Sequence, residues 1–185
     1  MAKTPYQPFL LRSLHGAVAV AVLLAWLSGA VVYSNHDGRL LRLPLQLPGN
    51  WIDIHGTAGV ILWPIALLFA LYAITRGRAR LRQPANITAL VALVLAVGSG
   101  KLMQEEWLRS GQFDQLVYHL HLLAWLLIAA AVAWHVKAVI TRGGIPLARS
   151  MVMLHVHERD NTGRWAMQIW SGLRRIGSPS QKPRV

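Results

Sequence analysis

Long apolar segments alternate with short polar segments over the first 140 residues of the chain. Four segments rich in Leu, Ala, Val and Ile span roughly residues 12–33, 53–74, 84–103 and 116–140. Each is long enough to cross a bilayer as a helix, which takes about 20 apolar residues. The pattern predicts an all-α protein, a membrane-embedded four-helix bundle. Together with the distribution of charge described below, it predicts cytoplasmic N- and C-termini.

Prolines and glycines divide these segments. Pro84 suits the first turn of the third helix, and the fourth helix is predicted to stop before Gly143 and Gly144. Residues 1–142 are therefore predicted to form a transmembrane domain, and residues 143–185 a basic cytoplasmic tail.

A short helix is predicted inside this tail. Its apolar residues recur near helical spacing beside several arginines: Trp165, Ile169, Trp170, Leu173 and Ile176. Two interpretations stay open, a helix lying on the inner membrane surface and a helix packed on the protein's own cytoplasmic face. From Gly177 onward the composition predicts disorder.

The formal net charge of +12 would suggest nucleic-acid binding in a water-soluble protein. Here the basic residues lie at the ends of apolar segments instead, which favours a membrane lipid environment and no nucleic acid. They cluster on one side of the predicted helices: Lys3 and Arg12, then Arg76, Arg78, Arg80 and Arg82, then Arg142 onward. The positive-inside rule predicts that this side is cytoplasmic, in a multi-pass protein of the bacterial inner membrane.

The chain has no cysteine, which excludes disulfides, iron–sulfur ligation and covalent c-type haem attachment by this chain. A basic start before an apolar run also resembles a signal peptide. The run is longer than a usual signal-peptide core and contains His15, so we expect a retained helix.

Four histidines lie within the apolar segments, where an ionisable side chain is costly and usually functional. His15 is on the first predicted helix, His55 on the second, and His121 and His135 on the fourth. The up-and-down topology places His55 and His121 near the outer face, and His15 and His135 near the inner face. The sequence therefore predicts two histidine pairs at different depths.

The spacing on the fourth helix supports this pairing. Fourteen residues at about 100° each end about 40° short of four full turns, so His121 and His135 share a face, about 21 Å apart along the axis. Ala124, Ile128 and Ala131 lie between them on that face. His119 is 16 residues from His135 and about 160° round the helix, so it is expected to point away, toward a propionate, a quinone or water.

Two imidazoles form a complete axial ligand set for one haem iron. The four histidines therefore predict two b-type haems. The alternatives are hydrogen-bonded structural histidines, or zinc or copper sites. Sites with two histidines each and no cysteine or membrane carboxylate would bind such metals poorly.

Three sequence pieces, in order, resemble the prokaryotic cytochrome b561 superfamily, which includes the membrane cytochrome b subunits of nickel-iron hydrogenases and formate dehydrogenases. They are RSLHGAVAVAVLLAWLSG, IHGTAGV and HLLAWLLIAAAVAWHVKA, within about residues 10–142. The resemblance implies that His15, His55, His121 and His135 are axial ligands, and that the chain transfers electrons across the membrane with quinone chemistry near one haem. Stand-alone members carry further histidines around the third helix, which this chain lacks, so the resemblance favours a partner-dependent subunit.

The leading hypothesis is a transmembrane dihaem b-type cytochrome that transfers electrons between a quinone pool and a redox protein partner, with a quinone site near His135. A stand-alone oxidoreductase similar to superoxide oxidase is the second hypothesis, and a haem-free membrane scaffold subunit is the third. The oligomeric state stays open.

Several other residues are weaker candidates. Basic residues near the helix ends can neutralise haem propionates or simply anchor in headgroups: Arg12, Lys137 and Arg142 on the inner side, and Arg39, Arg42 and Lys101 on the outer side. His155 and His157 can bind metal, although a solvated pair is the simpler interpretation. Trp26, Trp63, Trp125 and Trp134 are expected to pack and not to relay electrons.

Overall fold

A computed structural model describes residues 5–40, 42–44, 47–153, 155–157, 160 and 162–176. Six α-helices account for most of them: α1 (Phe9–His36), α2 (Trp51–Thr75), α3 (Pro84–Leu102), α4 (Glu105–Arg109), α5 (Leu116–Ser150) and α6 (Trp165–Ile176). Of the helices in these ranges, α1, α2, α3 and α5 are long and apolar enough to cross a membrane. The predicted all-α fold with four helices long and apolar enough to span a membrane is therefore confirmed.

The spanning helices form two antiparallel hairpins. Helix α1 packs along α2, α3 packs along α5, and contacts between α2 and α3 join the hairpins. All four contribute to one buried core: Val18, Ala21, Leu62, Ala66, Ala92, Leu93, Ile128 and Ala131. Many leucines face outward instead, as expected where lipid is the solvent and small side chains let helices approach.

Aromatic side chains connect α1 to α5 across the middle of the bundle. The indoles of Trp26 and Trp125 stack with ring centroids 4.9 Å apart and planes inclined by 7°. Each indole N–H donates to the backbone oxygen of the other tryptophan, at 3.1 and 3.0 Å. This reciprocal pair ties the two hairpins together, as the packing interpretation of these tryptophans expects.

The predicted stop of the fourth helix is only partly right. The helical conformation breaks at Gly144, whose φ of +61° and ψ of −166° suit glycine, but it resumes and continues to Ser150. Pro146 fits the resumed helix because a first-turn proline lacks only an N–H that would have no partner there. The short helix α4 was not predicted from the sequence.

The N-terminal segment and the tail meet at one end of the bundle, called here the tail end. Arg12 does not anchor in lipid headgroups, which was one of the two uses suggested by the sequence. It lies inside α1, 5% exposed, and its guanidinium donates to the carbonyl oxygens of Met153 and His155. The Tyr6 hydroxyl donates to Asp160 at 2.7 Å. The described start of the chain and the described part of the tail therefore lie on the same side of the four long helices.

Helix α6 packs on this end of the protein. The Trp165 side chain contacts a small cluster formed by Leu10, Leu11 and Tyr72, and Arg76 donates to the Ser171 hydroxyl. These contacts agree with the second interpretation, in which the tail helix packs on the protein itself. On the same helix, Met167 and Trp170 are exposed. The side chains of Ile169, Leu173 and Ile176, and the predicted disorder from Gly177 onward, lie outside the described residues.

Candidate cofactor site

The four intramembrane histidines meet in the two pairs that the sequence predicts. The rings of His55 on α2 and His121 on α5, called here the α2–α5 pair, have centroids 6.0 Å apart. The rings of His15 on α1 and His135 on α5, the α1–α5 pair, have centroids 6.1 Å apart and lie nearer the tail end. Each pair joins one hairpin to the other.

His119 does not join either pair. Its side chain is exposed, and its Nδ1 lies 3.0 Å from the backbone oxygen of Gln115 on the preceding turn. The helical-face argument for His121 over His119 therefore agrees with the positions of the two rings. The further uses suggested for His119 stay predictions.

Hydrogen bonds fix the rings of the α2–α5 pair. His55 Nδ1 lies 3.0 Å from the Ala25 backbone oxygen and 3.1 Å from Ser28 Oγ. His121 Nδ1 lies 3.0 Å from Ser99 Oγ. Because a histidine that ligates a metal through one nitrogen usually donates a hydrogen bond from the other, this arrangement suits ligation through Nε2.

The partners of Nδ1 also indicate which nitrogen carries the proton. The backbone oxygen of Ala25 can only accept a hydrogen bond, so His55 donates to it from Nδ1. Neutral His55 then has its lone pair on Nε2. This is the form of imidazole that can bind a metal.

Two glycines let the α2–α5 rings approach neighbouring helices. A Cβ at Gly29 would lie 3.1 Å from His55 Cε1, and a Cβ at Gly100 would lie 3.0 Å from His121 Cε1. Such contacts are tighter than a methyl group normally tolerates. Glycine at both positions thus leaves room for the histidine rings.

A cavity of about 340 Å³ lies beside this pair. His55 and His121 line it together with small or apolar side chains, including Gly56, Gly100 and Leu93. Pockets of this size and lining are typical of small-molecule and cofactor sites. The cavity is open to a flat, mostly apolar ligand that reaches both imidazoles.

The α1–α5 pair has different surroundings. His135 Nδ1 is buried without a hydrogen-bond partner among the described residues. The His15 ring meets the edge of Phe69 at a centroid distance of 6.1 Å. Between the two pairs, Ala124, Ile128 and Ala131 are buried at the face of α5 that the sequence predicted.

The charged candidates differ in how far they are already engaged. Arg39 forms a 2.5 Å ion pair with Asp37, and Arg12 is held by the tail carbonyls. Lys101 lines the cavity, and its ammonium lies 5.7 Å from the centroid of the Trp63 ring. Among the basic residues proposed from the sequence, Lys101 is thus placed to meet a ligand in the cavity.

The rings of His155 and His157 contact each other in the described part of the tail. They pack edge to face with centroids 5.2 Å apart, and His157 also packs on Tyr6 at 4.1 Å. No cluster of three or more potential metal-ligating side chains occurs among the residues described. Metal binding by this motif stays a prediction.

The geometry of both pairs fits bis-imidazole ligation of haem. Two imidazoles on opposite sides of one iron, with metal–nitrogen bonds of about 2 Å, place their ring centroids about 6 Å apart. The Nδ1 hydrogen bonds, the two glycines and the cavity add to this fit at the α2–α5 pair.

Sequence reasoning missed Ser28 and Ser99. A signal was present, because a Ser-Gly dipeptide occurs near the same end of α1 and α3, at Ser28–Gly29 and Ser99–Gly100.

No protein-family description matches this chain, and no curated protein or solved structure is significantly similar to it.

Proposed function

We propose that this chain is a transmembrane dihaem b-type cytochrome that transfers electrons between a quinone pool and a redox protein partner. The observation that carries the proposal is the meeting of four intramembrane histidines in two pairs, at 6.0 and 6.1 Å. Four unrelated structural histidines would have no reason to match in depth and in separation across the same pair of hairpins.

In this proposal the protein binds two haems and separates them from water. His55 and His121 would hold one haem b, and His15 and His135 the other. Haem b would supply a one-electron change of iron oxidation state when bound. The buried core between the pairs, which includes Ile128 and Ala131, excludes water along the path from one pair to the other.

The location of the basic residues supports an orientation in the membrane. Arg80 donates to Gln7 at 3.0 Å, so the arginine-rich connection after α2 lies at the tail end with both chain ends. The positive-inside rule then favours a cytoplasmic tail end in a bacterial inner membrane. A quinone would reach the α1–α5 pair from the lipid, near His135.

Measured haem content of the purified chain tests this proposal. Expression with a haem supply should give about two haems b per chain, with a b-type reduced-minus-oxidised spectrum. Replacing His55 or His121 by Ala should remove one haem, and replacing His15 or His135 should remove the other. His119→Ala is the matched control on α5 and should keep both.

Haem content near zero in the wild-type chain would contradict the proposal and favour the scaffold alternative. Loss of haem in His119→Ala with retention in His121→Ala would contradict the assignment of the ligands.

Lys101 favours a second candidate function, a stand-alone oxidoreductase that takes electrons from a small anion and reduces quinone. Lys101 is one of the residues that line the cavity beside the α2–α5 pair, and its positive charge can attract an anion to that site. Reduction of quinone by superoxide, catalysed by the isolated chain and weakened in Lys101→Gln, would select this function. A chain that turns over only with a partner protein would exclude it.

A further inference from the structure

The two Ser-Gly dipeptides occupy equivalent places in the two hairpins. Ser28 and Gly29 on α1 contact His55 on α2, and Ser99 and Gly100 on α3 contact His121. In both cases the first helix of a hairpin supplies a hydroxyl and a gap for a histidine on the second helix. The serines are 4% and 7% exposed, so each hydrogen bond is shielded from water.

We propose that Ser28 and Ser99 are positioning residues, which fix the ring orientations of His55 and His121 before a cofactor binds, and that Ser99 also favours the Nδ1-protonated form of His121. The identity of that cofactor as haem rests on the proposed function. The positioning itself rests only on contacts within this chain.

The direction of each hydrogen bond follows from the bonds that the hydroxyls already make. Ser28 Oγ donates to the Leu24 carbonyl oxygen at 2.8 Å, and Ser99 Oγ donates to that of Leu95 at 2.7 Å. A hydroxyl has one proton to donate and two lone pairs that accept. The Ala25 oxygen requires His55 to donate from Nδ1, so Ser28 accepts from it. We assign the same direction to Ser99 and His121, because the Ser99 hydroxyl has a carbonyl oxygen on its own helix to which it can donate.

Two consequences follow for a metal bound at Nε2. The imidazole is held in the tautomer that binds metal, which saves the free energy of rearranging it. An acceptor on Nδ1–H also makes the ligand more basic, which stabilises the higher oxidation state of a bound iron. Both effects are confined to the α2–α5 pair.

Ser28→Ala, Ser99→Ala and the double variant test this proposal in the full chain. The matched control is Thr75→Ala, because the Thr75 hydroxyl is likewise bonded to its own helix, 2.7 Å from the Leu71 oxygen, without a histidine among its hydrogen-bond partners. Ser28→Thr and Ser99→Thr, which keep the hydroxyl, are the conservative variants.

The first measurement uses the haem-loaded chain, by redox titration and by haem retention during dilution. In the double alanine variant, one of the two haems should bind about 10-fold or more weakly and its midpoint potential should rise. The second haem should be unchanged. Thr75→Ala should match the wild type. The threonine variants keep the hydroxyl, so their haem affinity and midpoint potential should stay close to the wild-type values.

The second measurement uses the chain without haem, labelled with ¹⁵N-histidine, and reads the tautomers by NMR. Both His55 and His121 should be Nδ1-protonated in the wild type. In Ser99→Ala, His121 should shift toward the Nε2-protonated form, whereas His55 should stay Nδ1-protonated in Ser28→Ala because the Ala25 oxygen still accepts from it. This measurement does not depend on haem, so a wild-type chain without haem would end the proposed function and leave the positioning role to be decided by the tautomers. An unchanged His121 tautomer in Ser99→Ala would overturn the positioning role of Ser99, whatever the haem content.

Discussion

The two histidine pairs have nearly the same ring separation, but they differ in the hydrogen bonds and the neighbouring residues around the rings. In the α2–α5 pair both Nδ1 atoms have hydrogen-bond partners, and both rings fit against glycines. In the α1–α5 pair the buried Nδ1 of His135 has no partner in the part of the chain that the structure describes.

This difference separates two tasks that a cofactor site must perform. The distance between ligands is set by helix packing, and it is 6.0 Å in one pair and 6.1 Å in the other. The orientation and protonation of each ring are set by neighbouring side chains, which support the α2–α5 pair more completely. We therefore expect substitutions around the rings to affect the two sites unequally.

The largest expected effect comes from filling the space at Gly29 and Gly100. In Gly29→Ala or Gly100→Ala, the new methyl group would lie about 3 Å from a histidine Cε1, so the ring must shift. Binding of one haem should weaken by about 10-fold or more, as for other losses of support around a metal ligand. Haem content and redox titration of the purified variants provide the measurement.

Gly98→Ala and Gly16→Ala are the matched controls. A Cβ at either position meets no neighbouring atom within 4 Å, and Gly16 is adjacent to His15. Both variants should keep two haems and unfold at the wild-type temperature or above it, since alanine favours the helix by about 0.5–1 kcal/mol. Equal loss of haem in the controls would show that space beside the rings is not the reason.

Much of this arrangement follows from sequence periodicity alone. Apolar segment lengths predict the four spanning helices, and the 14-residue interval between His121 and His135 predicts their shared face. The depth match of His15 with His135 follows from alternating helix direction. These features depend on repeating backbone geometry, which a sequence records directly.

Features that depend on contacts between distant segments could not be predicted in this way. Ser28 is 27 residues from His55, and nothing local indicates that its hydroxyl meets that ring. Arg12 looked like a headgroup anchor because the tail carbonyls that cover it are more than 140 residues away. The resumption of α5 after Gly144 likewise depends on how the tail folds back.

A smaller effect is expected from the Trp26–Trp125 pair, which lines the cavity beside the α2–α5 pair. Trp26→Phe and Trp125→Phe each remove one of the reciprocal hydrogen bonds. Each should lower the free energy of unfolding by about 0.5–2 kcal/mol, combining a membrane hydrogen bond with lost packing. Thermal unfolding in detergent measures the change.

Trp134→Phe is the control for that pair, because Trp134 is 47% exposed. The haem that His121→Ala removes should be affected more than the other in the Trp26 and Trp125 variants, since both tryptophans line the cavity beside the α2–α5 pair. Equal weakening of both haems would show that the tryptophans act only by holding the two hairpins together.

The smallest expected effect concerns pH and the end of the bundle opposite the tail. Burial there raises the pKa of Asp37, but hydrogen bonds from Arg39 and Tyr118 outweigh it, so the pKa lies below its usual range. A carboxylate with a lowered pKa in the folded state stabilises the fold above the unfolded-state pKa of about 4, and this contribution is lost as the pH falls through the folded-state value. Asp37→Asn should therefore be less stable than the wild type at pH 6, and the difference should shrink below about pH 4.

Thermal unfolding between pH 3 and pH 7 measures this difference, with Asp114→Asn as the control at an exposed aspartate. The hydrogen bond from Tyr118 to Asp37 connects the end of α1 to the start of α5, next to the cavity that His55 and His121 line. Acid should therefore loosen the α2–α5 pair before the α1–α5 pair, and the haem lost first below about pH 4 should be the one that His121→Ala removes. Loss of the other haem first would show that hydrogen bonds around the rings, and not this connection, determine which site is more resistant to acid.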